Sequence, residues 1–273
     1  MPELPEVETV RRSIEKKIIH KRIRSVDVRN DDVLDGITAE AFCSLFRDHA
    51  VMRMDRRGKY LIFCLESGEK VLLHLRMTGQ LIAFDDDFQE DRHCHVIMRF
   101  DEGGLYYRDV RRFGRFCLMG SGGKTEKGLD QLGYEPFDRK FTVNYVRDGL
   151  AGRHSSVKSR ILDQHFIAGI GNIYADEILF SARIHPERMC CDLTDAQIRR
   201  LKKSSETVLA EAIEHRGTTF SDFRDGYGEI GGHQEHLSVF HRAGEPCPLC
   251  GTTIEKIKCG GRTTSFCPKC QKR

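Results

Sequence analysis

The chain has 273 residues, with 44 lysines and arginines against 41 aspartates and glutamates, a net charge of +3. With 39% hydrophobic and 31% charged residues, it reads as a folded globular protein of about two domains and not as a disordered chain. No apolar run reaches the roughly 18–20 residues that span a bilayer, and the opening MPELPEVETVRR lacks a basic-then-apolar leader, so neither a membrane protein nor a secreted one is expected.

In chain order, residues 3–19 read as an amphipathic helix. Val7, Val10, Ile14 and Ile18 recur at helical spacing, Pro5 sits in the first turn, and Glu3, Glu6 and Glu8 lie near the positive end of the dipole with Lys16 and Lys17 near the other. From about 22 to 119 short apolar runs alternate with Gly-rich turns. Residues 60–65, 71–75, 96–100 and 105–107 are the clearest strands, and a short helix is expected near 39–47. This pattern predicts an antiparallel sandwich. The stretch 120–128, GSGGKTEKG, reads as a flexible domain boundary. Helical patterns follow at about 139–150, 156–167, 172–182 and 193–215, and the polar, Gly-rich 217–236 reads as a mobile loop.

The C-terminal segment carries Cys247-Pro-Leu-Cys250 and, sixteen residues on, Cys267-Pro-Lys-Cys270. Each pair can form a knuckle with two thiolates facing one ion, and four thiolates suit a tetrahedral Zn²⁺. With no coordination position left open, the metal is expected to be structural, which disfavours a metal-dependent hydrolase. The other seven of the eleven cysteines read as reduced, mostly buried side chains, Cys259 among them. Residues 242–273 also hold seven basic residues against Glu245 and Glu255, seven minus two giving a local excess of five positive charges suited to a phosphate backbone.

At the other end, a small residue at position 2 permits removal of Met1, which leaves Pro2 with a free secondary amine. An α-amino group titrates near pH ~8 and keeps a useful neutral fraction at working pH. Attack on an aldehyde-level carbon gives a permanently cationic iminium, an electron sink for elimination, and Glu3 and Glu6 lie nearby for proton transfer.

MPELPEVETVRR and the four-cysteine module together resemble the two ends of the bacterial formamidopyrimidine-DNA glycosylase family. Five further motifs fall in family order: Arg56–Leu61 (RRGKYL), His74–Gly79 (HLRMTG), Asp109–Gly114 (DVRRFG), Gly169–Tyr174 (GIGNIY) and Arg262–Cys267 (RTTSFC). The resemblance covers essentially the whole chain. It implies a bifunctional glycosylase and lyase that removes oxidised purines from double-stranded DNA. The implied fold is α+β: an N-terminal helix with an antiparallel sandwich over 1–125, a helix–two-turn–helix domain over 126–236, and a zinc finger over 237–273, with DNA in the cleft between domains. A cytoplasmic bacterial monomer acting on damaged DNA, with no membrane partner, is the expected setting.

Carried over by position, Pro2 resembles the nucleophile that attacks C1′, and Glu3 the general acid for the deoxyribose ring oxygen. Glu6 resembles a water-orienting carboxylate, Lys59 the lysine of β-elimination, and Arg262 the finger arginine that grips phosphate and assists δ-elimination. Met77, Arg111 and Phe113 match the trio that fills the void left by an extruded base. Asn172, at a Gly-rich helix start where N–H groups favour an anion, matches a phosphate clamp, and Lys158 and His93 match DNA-contacting residues. His154 stands where relatives often carry a Lys or Arg, and a neutral imidazole there weakens a phosphate contact. Leu237–His241 departs from the family's usual Gln, Tyr and Gly before the finger. Two alternatives are an endonuclease VIII-like enzyme for oxidised pyrimidines, disfavoured by Leu4, and a non-catalytic zinc-finger DNA-binding protein, disfavoured by the presence of Pro2, Glu3 and Lys59.

Overall fold

The computed structural model describes residues 1–85 and 88–273. The first helix, α1, runs Leu4–Ile18. Its start is a capping box: the Glu3 carboxylate accepts from the backbone N–H of Glu6, and the Glu6 carboxylate accepts the N–H of Glu3 at 2.8 Å. Val7, Val10, Ile14 and Ile18 form its fully buried stripe. Among the described residues, the strands that follow are β1 (Ser25–Val28), β2 (Leu34–Asp35), β3 (Val51–Arg57), β4 (Tyr60–Leu65), β5 (Lys70–His74), β6 (Gly79–Phe84), β7 (Cys94–Arg99), β8 (Gly104–Asp109) and β9 (Arg115–Leu118), with helix α2 (Ala39–Phe46) between β2 and β3. They form a four-stranded sheet, β1-β7-β8-β6, and a five-stranded sheet, β2-β9-β5-β4-β3, antiparallel except where the two-residue β2 lies parallel to β9. One core takes side chains from both: Phe63 and Phe116 from one sheet, Val96 and Tyr107 from the other, with Phe42 and Phe46 of α2 and the α1 stripe.

The Gly-rich stretch expected to be a flexible boundary is instead ordered against this core. It leads into α3 (Lys124–Asp130). The Glu126 carboxylate accepts the N–H groups of Gly120 and Gly122, and the Asp35 carboxylate accepts the N–H of Thr125 at 2.6 Å. Composition alone hides this, because Glu126 lies within the stretch but the other acceptor, Asp35, comes from β2.

The remaining helices are α4 (Val143–Leu150), α5 (Val157–Ile161), α6 (Asn172–Ala182) and α7 (Asp195–Glu214), followed by a hairpin of β10 (Glu255–Cys259) and β11 (Arg262–Phe266). Thr142 and Ser156 cap α4 and α5 through their hydroxyls. α5 ends earlier than the apolar pattern suggests: Asp163 accepts the N–H of His165 at 3.0 Å, a local turn that diverts the chain.

The chain divides into two compact units, Met1–Gln131 with His215–Gln234, and Leu132–Glu214 with Glu235–Arg273. Residues 215–234 follow the helices in sequence yet belong to the first unit. Gly226 donates its N–H to Ser13 Oγ and accepts from Ala83, both at 2.8 Å, and Thr218 donates to Glu6. Asp225, almost fully buried, organises the loop by accepting the N–H groups of Tyr227 and Glu229 and pairing with Arg216. No helix among the described residues is long and apolar enough to cross a membrane.

Candidate active site and metal centre

In the first unit the chain start opens into a cleft of about 650 Å³, bounded by Met1, Arg76, Met77, Phe113, Arg115 and Lys124 among others. Next in the chain, Pro2, Glu3 and Glu6 are buried, Glu6 only 1% exposed. Glu6 divides its two oxygens: Oε2 takes the Glu3 N–H and Oε1 the Thr218 N–H, each at 2.8 Å. Gly217 (φ +74°) is needed there, since a Cβ would lie 2.9 Å from Glu6 Oε1 on a backbone that L side chains avoid. The carboxylate is therefore an internal brace of the helix start.

Lys59 occupies the second position of the two-residue β3–β4 turn, and the left-handed Gly58 (φ 55°) takes the first. Lys59 is buried, with 6% exposed. Next to it the Tyr60 ring meets His74 edge-on at 4.6 Å. Burial, together with the charges of Arg76 and Lys59, pushes His74 down to about 3, so it is neutral and accepts the Arg76 N–H on Nδ1. On α1, Glu8 is bound by Arg11, Arg12 and Arg56. Burial alone raises a carboxyl, but hydrogen bonds from Arg11 and Arg12 and the nearby Arg56 charge win and hold Glu8 at about 2.

Met77 and Phe113 are large apolar side chains left 41% and 48% exposed, and the Arg111 guanidinium lies 4.6 Å from the Phe113 ring centre. What holds them out is Asp109, fully buried where β8 ends. It accepts from Thr78 Oγ1, Tyr107 Oη, and the N–H groups of Arg111 and Gly114, which ties the Met77 loop to the Phe113 loop. Burial raises a carboxyl, but these donors, Thr78 first, keep Asp109 below the usual range. Gly114 is required, because a Cβ would strike the Tyr107 hydroxyl at 1.9 Å. His93 is half-buried beside a separate polar hollow of about 340 Å³ shared with Arg29, Arg92 and Arg112.

In the second unit Arg262 is exposed at the start of β11, beside a Gly260–Gly261 turn in which both residues have positive φ. Asn172 opens α6 and donates through Nδ2 to the Thr263 carbonyl at 3.0 Å. His154 is exposed, with Nδ1 3.8 Å from Cys191 Sγ. Lys158 departs from the expectation of a DNA-facing lysine: its side chain is 0% exposed and pairs with Asp176 at 2.6 Å. The short α5 turns it inward.

Cys247, Cys250, Cys267 and Cys270 place their sulfurs within 4.8 Å of one another. The pairs Cys247–Cys270 and Cys250–Cys267 stand at 4.0 and 3.5 Å, close to the ~3.8 Å edge of a tetrahedron built on ~2.3 Å Zn–S bonds. The residues fit one structural zinc ion. Cys259 is outside the group, its thiol buried against Ser156 and the Pro186 carbonyl. The departing segment Leu237–His241 is held by its backbone: the buried Glu177 carboxylate accepts the N–H groups of Ser238, Val239 and Phe240 at 2.8–2.9 Å, which is indifferent to the side chains there. Neither Glu177 nor Asp109 was legible as a hub, since each draws on donors distant or unmarked in sequence.

Three family models match in order: the formamidopyrimidine-DNA glycosylase N-terminal domain over residues 1–116, its H2TH domain over 132–224, and the zinc finger found in these enzymes and isoleucyl-tRNA synthetases over 244–273. Formamidopyrimidine-DNA glycosylase of Symbiobacterium thermophilum is 46% identical, covering 99% of this chain and 89% of its own. That of Pelotomaculum thermopropionicum is 44% identical over 100% of this chain and 99% of its own. The Lactococcus lactis enzyme in complex with DNA containing an abasic site superposes with a TM-score of 0.91 at 35% identity, covering 99% and 100% of the two chains. A single-residue mutant of the Lactococcus enzyme has been solved with DNA containing Fapy-dG, and the wild-type enzyme with DNA containing an oxidised pyrimidine.

Proposed function

The chain belongs to the formamidopyrimidine-DNA glycosylase family and is a base-excision repair glycosylase, and on that premise we propose that Pro2, freed of Met1, is its nucleophile. The observation that carries this reading is the cleft at the chain start, where Met1 lies beside the exposed Met77 and Phe113. The Pro2 nitrogen lone pair bonds to C1′ of an extruded nucleotide while the base leaves with the electrons of its glycosidic bond and takes up the proton that the amine sheds. Glu3 protonates the ring oxygen as the sugar opens, and the nitrogen becomes an iminium. Loss of a C2′ proton then expels the 3′ phosphate, and a second elimination the 5′ phosphate, with Lys59 and Arg262 stabilising the leaving oxyanions. Glu6 orients the helix start and water. Met77, Arg111 and Phe113 fill the gap in the stack. Asn172, His93 and His154 serve the DNA backbone.

We read the substrate as oxidised purines, 8-oxoguanine and formamidopyrimidines, in duplex DNA, handled by a monomer acting in the bacterial cytoplasm. One chain supplies the amine, the acid, the lysine and the metal centre, which supports the monomeric reading. Borohydride reduction in the presence of DNA containing 8-oxoguanine opposite cytosine is expected to yield a covalent adduct on the N-terminal peptide. A processed N-terminus that traps nothing, or an adduct mapped to Lys59, overturns the role of Pro2. An oxidised pyrimidine in the same panel tests the alternative substrate class.

A further inference from the structure

We infer that the buried Lys158–Asp176 ion pair is a positioning device that sets the register and direction of β11 so that Arg262 is presented to DNA. The ammonium of Lys158 has three donors. Thr264 Oγ1 at 2.7 Å and the Thr263 carbonyl at 3.4 Å accept from it, and Asp176 Oδ1 stands 2.6 Å away as its buried counter-ion. The other oxygen of Asp176 accepts the Ser265 N–H at 2.9 Å. Asn172 adds a second donor to the Thr263 carbonyl at 3.0 Å. Three consecutive residues of β11, 263 to 265, are thus clamped to α5 and α6, and the next residue back is the exposed Arg262. Gly260 at the hairpin turn is seated on α5 as well, since a Cβ there would lie 2.3 Å from Ser159 Oγ.

A buried ion pair is a costly way to stabilise a fold, because desolvation consumes most of the attraction. Its use here is explained by geometry: charged, directional bonds hold one strand in one register, which apolar packing of a two-stranded hairpin does not ensure. The inference rests on reading Arg262 as a phosphate contact.

The test measures affinity for duplex DNA carrying a tetrahydrofuran abasic site, as a function of salt, on the zinc-loaded full-length protein. Arg262→Ala is expected to weaken binding and to lower the salt slope by about one. Asp176→Asn is expected to weaken binding about three- to tenfold and to lose the same slope, and in the Arg262→Ala background to add nothing. Thr264→Val, which keeps the ion pair but removes a hydroxyl it holds, is expected to move the slope in the same direction, and Thr264→Ser to restore it. This pair reads out the device even if Asp176→Asn fails to fold. If Arg262→Ala changes nothing, the reading of Arg262 has failed. If Arg262→Ala acts but Asp176→Asn and Thr264→Val leave the slope intact, or if their effects add fully to it, the positioning role is wrong.

Discussion

Glu6 and Thr218 stand 212 positions apart and are joined by a 2.8 Å hydrogen bond from the Thr218 N–H to Glu6 Oε1. The other oxygen of the same carboxylate holds the Glu3 N–H. One side chain thus links the helix start that carries Pro2 to the segment 215–234. Glu6→Gln puts an amide NH₂ against one of the two N–H donors. It is expected to slow base excision by about 10²-fold or more while leaving abasic-site DNA affinity within a few fold, and to speed hydrogen exchange at Thr218. Unchanged exchange at Thr218 together with normal excision removes the brace.

Phe113 is almost half exposed, so its truncation takes little from the core. Phe113→Ala is expected to leave the melting temperature nearly unchanged and to lower single-turnover excision from duplex DNA about tenfold or more, since the unstacked step loses its wedge. A large drop in melting temperature with unimpaired excision assigns Phe113 to packing instead.

Glu8 links stability to pH with a definite sign. Its native carboxyl lies at about 2 against an ordinary 4.5, a depressed value. The stabilisation is complete above pH 4.5 and is lost as pH falls toward 2. At about 1.36 kcal/mol per pH unit, the fall from 4.5 to about 2 corresponds to roughly 3 kcal/mol, and Glu8→Gln is expected to remove about that much at neutral pH and to flatten the acid limb of the stability profile. Urea titrations at pH 7 and pH 3 check it, and an equal loss at both pH values refutes it.

The finger's apolar core is small: Val239, Ile254 and Phe180 packed with Cys247 and Cys267. Metal binding is therefore a large part of its folding. Cys250→Ser, or chelation, is expected to abolish zinc content and DNA binding while the first unit still unfolds cooperatively on heating. Normal DNA affinity in the zinc-free protein contradicts this.

The sequence by itself determined the local elements and the metal. The α1 stripe recurs at 3.6-residue spacing, the strands are runs bounded by turn glycines, and the four thiolates stand in paired knuckles, all signals carried by neighbours in the chain. It also singled out Met77, Arg111, Phe113 and Lys59 through short motifs in family order. Only the tertiary structure decided which charges are buried and whom they serve. In sequence Glu6 reads as a carboxylate facing water and Lys158 as a lysine facing DNA, while Asp109 and Glu177 look like any other surface charges. Their partners, Thr218, Thr78, Asp176 and Ser238, include residues of distant segments, and a desolvated charge persists only where such donors or counter-ions converge. The same reason explains the ordered 120–128 stretch and the membership of 215–234 in the first unit. Their polar, Gly-rich composition predicts a loop, while its anchoring depends on side chains, Asp35, Ser13 and Glu6, that the loop itself does not contain.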